Sequence, residues 1–239
     1  MFPLSSEIER ADAVNLVLFD VDMTLLDSGG AGSCAMEDAM DGCGGGRGAF
    51  ETVEFAGRTD RLILLDALAC SPQAGRPKLA RLRQEYLRCL ARNLARPDSR
   101  AAALPGASAL LVRLLRENVM VGLLTGNWRE GAWLKLARCG LDGFFRFGAF
   151  AEDGPERADL VPVALHRAAE HYGRRPDGEC WVVGDTPHDI ACGLAHGLRT
   201  MGVATGPYDL ETLSESGAAE VVAGLEDTEA LADVLAGRG

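Results

Sequence analysis

The sequence contains no apolar run long enough to cross a bilayer, and residues 1–7 lack the basic flank and the apolar core of a signal peptide. It also lacks an excess of basic residues, because its formal net charge at pH 7 is -11. Nucleic acids and anionic membranes bind basic surfaces, so we expect neither of them as a partner. These absences together predict a cytoplasmic protein.

No close CxxC pair occurs among the cysteines. The seven cysteines are an odd number and are scattered along the chain, which favours reduced thiols over a disulfide framework or a zinc site. With 239 residues, of which 47% are hydrophobic and 25% charged, the chain has the composition of a globular protein. This length is sufficient to bury a core in one large domain or in two unequal ones.

An almost unbroken apolar run from Val14 to Phe19 ends at two carboxylates, Asp20 and Asp22, with Thr24 close behind. A short run of branched apolar residues is typical of a strand that is buried on both faces of a parallel sheet. Side chains alternate along a strand, so Asp20 and Asp22 are predicted to point to the same side. Ligands of open parallel sheets bind outside the carboxyl ends of the strands, where two acids could hold a metal, attack an electrophile or transfer a proton.

The rest of the chain divides into two patterns. From Thr59 to about Ala95 apolar residues recur at spacings of three and four, which predicts helix, and Pro105-Gly106 marks a boundary. From residue 105 onward single helices separate apolar runs, which predicts an α/β fold with a doubly wound parallel sheet. We therefore predict a core formed by residues 1–29 and 105–239, with residues 30–104 as a helical insertion. The later strands are predicted at Val119–Leu124, Phe147–Phe150, Cys180–Val183, Arg199–Val203 and Glu220–Val222.

Three of the predicted strands end in polar clusters that parallel strands would bring to one rim of the sheet. Crowded carboxylates repel each other unless a cation neutralises them, and oxygen ligands without a histidine cluster suit Mg²⁺. A hydroxyl and backbone N–H groups, as in the second cluster, suit phosphoryl oxygens. The pattern predicts magnesium-assisted phosphoryl transfer. The clusters are Asp20-Val21-Asp22-Met23-Thr24, Thr125-Gly126-Asn127 and Gly184-Asp185-Thr186-Pro187-His188-Asp189.

In this order the three clusters resemble the haloacid dehalogenase superfamily, specifically its phosphoglycolate-phosphatase-like branch. The resemblance extends to Ala132-x-x-Lys135-Leu136-x-x-x-Gly140-Leu141 after the second cluster. It implies a Rossmann-like core with a helical cap domain inserted after the first strand. It also implies a magnesium-dependent phosphatase that acts on a small phosphorylated metabolite, as a monomer or homodimer.

The resemblance also implies a role for each matching acid. Asp20 would be the nucleophile that forms an aspartyl-phosphate, and Asp22 would be the general acid and base. Magnesium would be held by Asp20, by the backbone carbonyl of Asp22, by Asp185 and, directly or through water, by Asp189. These four aspartates are therefore the predicted catalytic and metal-binding acids.

Substrate-binding roles follow in the same way for five further residues. Thr125 and the N–H of Gly126 would bind the transferring phosphoryl group, and Thr24 and Asn127 are expected at the substrate site. In the insertion, Gly57-Arg58-Thr59-Asp60 resembles the cap loop that faces the active site, where an arginine could pair with a carboxylate or a second phosphate. The alternative for this loop is a turn before a helix capped by Thr59 or Asp60.

One position departs from the family pattern. The family normally places a lysine after the second cluster to bind the phosphoryl group and the nucleophile, but the only lysines here are Lys78 and Lys135. Arg157, just before a helix predicted to begin with Asp159 as its cap, is the candidate for that charge, although arginine differs from lysine in reach and geometry. The alternative is a surface arginine near a helix start.

Other functions stay open at this point. A phosphosugar mutase keeps both acids of the first cluster, and a catalytically inert phosphate-ester binding protein is supported only by the arginine at position 157. The acid at Asp22 disfavours dehalogenases and phosphonate hydrolases, and a phosphoacceptor signalling domain would not need the insertion. Phosphoglycolate is the nearest analogy for the substrate, with small sugar phosphates and nucleotides also possible.

Overall fold

A parallel sheet of six strands forms the centre of the protein. The computed structural model describes residues 13–46, 48–70 and 77–238. In chain order the elements are β1 (Leu16–Phe19), β2 (Leu26–Asp27), α1 (Ala31–Gly42), α2 (Asp60–Cys70), α3 (Leu79–Leu94), β3 (Ala102–Ala103), α4 (Ala107–Arg116), β4 (Met120–Leu124), α5 (Arg129–Arg138), β5 (Gly148–Ala149), α6 (Leu160–Tyr172), β6 (Cys180–Gly184), α7 (Pro187–Leu194), β7 (Arg199–Val203), α8 (Leu210–Glu215), β8 (Glu220–Val222) and α9 (Thr228–Leu235). The strand order in the sheet is β5-β4-β1-β6-β7-β8.

Strand β1 lies in the middle of this sheet and is buried on both faces. It pairs in parallel with β4 on one side and with β6 on the other. Val17 and Phe19 belong to an apolar cluster with residues of α4, α5 and α9, whereas Leu16 and Leu18 belong to another with residues of α6. Because alternate side chains of a strand point to opposite faces, helices cover both sides of the sheet. The predicted α/β, doubly wound, Rossmann-like fold is therefore confirmed.

The helices α1, α2 and α3 lie between β2 and β3, which pair with each other as a short antiparallel ribbon where the chain leaves and re-enters the core. Their buried side chains form an apolar cluster of their own, which continues into the core through Trp128 and Ala151. The helical insertion is thus consistent with a cap. Its limits at residues 30 and 104 stay a prediction.

Two local predictions differ from the structure. The helical stretch predicted from Thr59 to Ala95 comprises the separate helices α2 and α3, and residues 71–76 between them lie outside the described part. Asp159 occupies the cap position of α6, as predicted, but its side chain makes no cap hydrogen bond there, because its carboxylate accepts the backbone N–H of Glu156 at 2.9 Å. The cause is a turn of 3-10 helix at Arg157–Asp159, which uses Asp159 in its own capping box.

Within residues 13–46, 48–70 and 77–238, no helix is long and apolar enough to cross a membrane. All seven cysteines lie in these ranges, and each is a free thiol.

Candidate active site

Three buried carboxylates meet at the carboxyl-terminal rim of the sheet. Asp20 follows β1, Asp185 follows β6, and Asp189 lies in the first turn of α7. One carboxylate oxygen from each of the three lies within 4.8 Å of the others. Burial raises the pKa of both Asp20 and Asp185, and the charge of Asp189 raises each of them further. The predicted convergence of the first and third clusters is therefore present.

Local chemistry fixes two of these acids. Thr186 begins α7, and its N–H and hydroxyl donate to the same oxygen of Asp189 at 3.1 Å and 2.7 Å. This capping box, followed by Pro187 at the first helical position, holds the Asp189 carboxylate at the rim. Gly206 lies against Asp185, and a Cβ at that position would be 1.8 Å from a carboxylate oxygen. Only glycine therefore permits this approach.

Arg157 lies among the three carboxylates and is only 7% exposed. Its Nη2 lies 2.8 Å from Oδ1 of Asp20, contacts the Asp189 carboxylate and donates to the carbonyl oxygen of Leu124 at 3.3 Å. Burial lowers the pKa of Arg157, but Asp189 and Asp20 outweigh burial and hold it above its usual range. The structure thus places Arg157 on the predicted nucleophile, where the lysine of the family was expected.

The charge balance and donor type of this cluster fit Mg²⁺. Asp20, Asp185 and Asp189 bring three carboxylates, and within the described ranges the one cationic side chain paired with them is Arg157. Full ionisation would leave an excess of negative charge in a buried site, which a divalent cation would neutralise. Carboxylate oxygens are the hard ligands that Mg²⁺ prefers.

Asp22 belongs to a group of polar side chains that it forms with Thr125, Asn127 and Lys135. Lys135, on α5, places its Nζ 2.6 Å from Oδ2 of Asp22 and 2.6 Å from Oδ1 of Asn127. Asn127 in turn donates its Nδ2 to Asp22 at 2.8 Å and to the hydroxyl of Thr125 at 2.9 Å. The second predicted cluster is therefore connected to the first through Asp22.

Lys135 itself was not predicted as a site residue. Its side chain is 4% exposed, and although burial lowers its pKa, Asp22 and Asp60 outweigh burial and raise the value. The available signal was the scarcity of lysine together with its position next to Leu136, on the apolar face of an amphipathic helix. A lysine there requires a buried acid nearby.

Asp60 was predicted as part of the cap loop or, alternatively, as a helix cap, and no separate site role was assigned to it. In the structure the cap is Thr59, whose hydroxyl accepts the N–H of Leu62 at 3.3 Å. The Asp60 carboxylate is instead buried against the core and accepts the N–H of Trp128 at 2.9 Å. Burial raises the pKa of Asp60 to about 7, with Lys135 as the main opposing influence.

The loop before α2 touches the second polar cluster closely. The N–H of Asp60 donates to the carbonyl oxygen of Gly126 at 2.7 Å. A Cβ at Gly126 would lie 2.2 Å from the carbonyl oxygen of Arg58, so a larger residue would push this loop away. Arg58 pairs its Nη2 with Asp66 at 2.7 Å and donates Nη1 to the carbonyl oxygen of Glu54 at 3.3 Å. Its predicted contact with substrate stays a prediction.

The contacts of Thr24 do not test its predicted role in substrate binding. It is fully buried, and its hydroxyl donates to Oδ1 of Asp185 at 3.4 Å. It therefore lies behind a predicted metal ligand. The catalytic, metal-binding and substrate-binding roles of the other predicted residues likewise stay predictions, although the structure brings Asp20, Asp22, Thr125, Gly126 and Asn127 together around one cavity.

This cavity has a volume of about 320 Å³ and lies between the rim of the sheet and the insertion. Its volume is at the small end of the roughly 300–1,000 Å³ range of small-molecule sites. The rim contributes carboxylates, the Arg157 guanidinium and the Thr125–Asn127 loop, whereas the insertion contributes apolar side chains, one phenol and the polar side chains of Ser33, Arg58 and Asp60. These insertion residues include Met36, Phe55, Ile63 and Tyr86.

The family follows from a match over residues 17–193 to the haloacid dehalogenase-like hydrolases. This match spans more than half of the sequence and all three polar clusters. The chain therefore belongs to the haloacid dehalogenase-like hydrolase family, which confirms the resemblance stated from the motifs. No curated protein sequence matches the chain.

Several solved structures share the fold over nearly the whole chain. A hydrolase from Pseudomonas syringae is 24% identical, with a TM-score of 0.66 over 92% of this chain and 98% of its own. A predicted phosphoglycolate phosphatase from Haemophilus somnus 129PT is 16% identical, with a TM-score of 0.68 over 91% of this chain and 97% of its own. CbbY from Rhodobacter sphaeroides, solved in complex with phosphate, is 16% identical, with a TM-score of 0.68 over 90% and 96%.

Proposed function

We propose that this protein is a magnesium-dependent phosphatase that hydrolyses a small phosphate monoester through an aspartyl-phosphate on Asp20. The observation that carries the proposal is the environment of Asp20. Its carboxylate lies beside two other buried carboxylates and in contact with the Arg157 guanidinium, at the floor of a cavity also lined by Thr125. This environment suits a nucleophile that meets a phosphoryl group and a divalent cation together.

In the first step a carboxylate oxygen of Asp20 attacks phosphorus, and the bond between phosphorus and the ester oxygen breaks. Asp22 donates its proton to the departing oxygen, so the leaving group is released as an alcohol. Asp20 now carries the phosphoryl group as a mixed anhydride. Lys135 and Asn127 both contact Oδ2 of Asp22, so Oδ1 is the oxygen that carries the proton for this transfer.

In the second step water attacks phosphorus, and Asp22 accepts a proton from it. The bond between phosphorus and the Asp20 oxygen breaks, which restores the carboxylate and releases inorganic phosphate. Arg157 and Thr125 stabilise the negative charge on the phosphoryl oxygens in both steps. Asp20, Asp185, Asp189 and the carbonyl of Asp22 would hold Mg²⁺, which supplies charge neutralisation of the phosphoryl group when bound.

The direct test is phosphate release from p-nitrophenyl phosphate and a panel of phosphate esters, with Mg²⁺ and with EDTA. We expect turnover that requires Mg²⁺ and that falls by about 10⁴-fold or more in Asp20→Asn, since a nucleophile acts as part of a unit. Asp142→Asn, which changes an exposed aspartate, is the matched control and should retain wild-type turnover. Turnover that persists in Asp20→Asn or in EDTA would contradict the mechanism.

The same assay separates the phosphatase from a phosphosugar mutase, which shares Asp20 and Asp22. Analysis of the products of hexose phosphates should yield free phosphate without an isomerised sugar phosphate. An isomerised sugar phosphate among the products would contradict the phosphatase proposal and indicate a phosphosugar mutase. Binding of esters without release of phosphate under any metal would replace it by an inert binding protein.

A further inference from the structure

The wall of the cavity formed by the insertion differs chemically from the phosphoryl-binding rim. Met36, Phe55 and Ile63 give it an apolar surface, and its polar side chains are Ser33, Arg58, Asp60 and Tyr86. The alcohol part of an ester whose phosphoryl group lies on Asp20 would point toward this wall. The side chains of this wall therefore determine which leaving groups the site accepts.

The hydroxyl of Tyr86 is the feature of this wall that points most directly to a ligand. Tyr86 is fully buried, and within residues 13–46, 48–70 and 77–238 its hydroxyl makes no hydrogen bond of normal length and angle, its polar neighbour being the Asp60 carboxyl. Its ring packs against Trp128 with the ring centroids 5.7 Å apart. A buried hydroxyl without a partner costs free energy, so a bound group that supplies one would be favoured.

Asp60 lies on the same wall, and its Oδ2 accepts the N–H of Trp128. Burial and then the charge of Asp60 raise the pKa of Tyr86, and the carboxyl and the phenol are close enough to interact directly. A ligand hydroxyl that replaces this direct contact could donate to Asp60 and accept from Tyr86. One alcohol group would then satisfy both residues.

The cations that line the cavity are already paired. Arg58 pairs with Asp66 on α2, Lys135 pairs with Asp22, and Arg157 pairs with Asp20 on the phosphoryl side. A leaving group with its own carboxylate or phosphate would therefore lie beside Asp60 and find no unpaired cation among these side chains. Such contacts without a free cation are repulsive.

Building on the proposed phosphatase function, we propose that the protein selects esters whose leaving group is small, uncharged and hydroxyl-bearing. In such a complex the hydroxyl of the leaving group donates a hydrogen bond to the Asp60 carboxyl and accepts one from the Tyr86 hydroxyl. Its carbon chain contacts Phe55 and Ile63. Esters that carry a carboxylate or a second phosphate are discriminated against. Polyol phosphates are the corresponding chemical class.

Matched pairs of esters test this selectivity with little change of size. 2-Hydroxyethyl phosphate and phosphoglycolate differ in one terminal group, as do glycerol 3-phosphate and 3-phosphoglycerate. In each pair we expect kcat/KM of the hydroxyl-bearing ester to exceed that of the carboxylate ester by about tenfold or more, as for a site that hydrogen-bonds a substrate hydroxyl. Equal values, or a preference for the carboxylate esters, would overturn the inference.

Two variants that conserve the shape of the side chain test whether Tyr86 and Asp60 cause the selectivity among esters. Tyr86→Phe should lower kcat/KM for the hydroxyl-bearing ester by about tenfold, because it removes one hydrogen bond. Asp60→Asn should raise kcat/KM for the carboxylate ester relative to its partner. Tyr172→Phe, which removes a phenolic hydroxyl on α6, is the control and should leave both ratios unchanged. Ratios that stay at the wild-type value in Tyr86→Phe and Asp60→Asn would overturn the inference.

The competing interpretation is that Arg58 leaves Asp66 and binds a carboxylate or second phosphate of the substrate. In that case phosphoglycolate would be the better ester, and Arg58→Ala would lower its turnover selectively. Titration calorimetry of the Asp20→Asn variant with each ester gives the same comparison without turnover. Absence of phosphate release from every ester in the wild type would overturn the phosphatase proposal, and this inference with it. Release with the reverse preference would overturn the inference alone.

Discussion

The two walls of the cavity are held in different ways. On the rim of the sheet, acids follow directly from strand ends, and Asp189 is fixed by Thr186 three residues before it. On the insertion side, a long-range contact joins the insertion to the core, because the Asp60 carboxylate accepts the N–H of Trp128 across 68 residues. Local geometry thus determines the chemistry, whereas long-range packing determines the shape of the leaving-group wall.

This difference leads to separate expectations for substitutions on the two walls. A change on the rim should affect turnover of every ester, since it alters groups around the phosphoryl site. A change on the insertion side should affect stability and the choice among esters, since it alters packing between the insertion and the core. Arg157 combines both properties, because it is distant in sequence from Asp20 yet lies on it.

The largest effect is therefore expected at Arg157. Arg157→Ala should lower kcat by about 10³-fold for all esters, because it removes a buried donor from the phosphoryl site. Arg157→Lys should recover part of the loss, because it returns one cation to Asp20 without the planar fork of arginine. Steady-state kinetics on p-nitrophenyl phosphate and glycerol 3-phosphate would measure both.

Arg146→Ala, at an exposed arginine, is the matched control and should behave as wild type. Wild-type activity in Arg157→Ala would mean that the ion pair with Asp20 is only structural. An effect on one ester alone would contradict the expectation that a substitution on the rim affects the turnover of every ester.

A smaller effect, on stability, is expected at Lys135. Lys135→Met keeps the length of the side chain but leaves the Asp22 carboxylate without its cation. We expect the free energy of unfolding to fall by about 3 kcal/mol, at the lower end for a broken buried pair because Asp22 is partly exposed. Urea unfolding followed by circular dichroism would measure the loss.

The control for Lys135 is an ion pair on the surface. Arg96→Met breaks the exposed pair of Arg96 with Asp98 and should change the free energy of unfolding much less than Lys135→Met. Equal losses in the two variants would show that the Lys135 pair has no special role in joining α5 to the first polar cluster.

The sequence allowed the rim to be predicted because its signals are local. An apolar run followed by acids specifies both a strand and what lies at its end, so Asp20, Asp185 and Asp189 could be expected together. The insertion wall has no comparable signal. Tyr86 belongs to the helical pattern between Thr59 and Ala95, but that pattern does not reveal that its hydroxyl makes no hydrogen bond of normal geometry within the described part of the chain. The burial of the Asp60 carboxylate could not be predicted, because it depends on Trp128, which is remote in sequence.

The smallest effect concerns the pH dependence of stability that Asp60 introduces. Burial raises its pKa from 3.8 to about 7, so between these values the folded protein binds a proton that the unfolded chain has released. Below pH 3.8 the Asp60 carboxyl is protonated in both states, and its contribution to stability is complete. That contribution falls as the pH rises and is lost once the pH passes about 7. Asp60→Asn removes that loss. The wild type should therefore lose about 1 kcal/mol relative to Asp60→Asn between pH 5 and pH 6.

Urea unfolding of both proteins at the two pH values would test this expectation, with Asp142→Asn as a control that removes an exposed carboxyl. The difference between wild type and Asp60→Asn should grow with pH, whereas the difference between wild type and Asp142→Asn should not. A constant difference for Asp60→Asn would mean that its carboxyl is ionised throughout, compensated by Lys135. In that case the insertion wall would present a full negative charge at every pH, and its discrimination against carboxylate esters should not weaken at low pH.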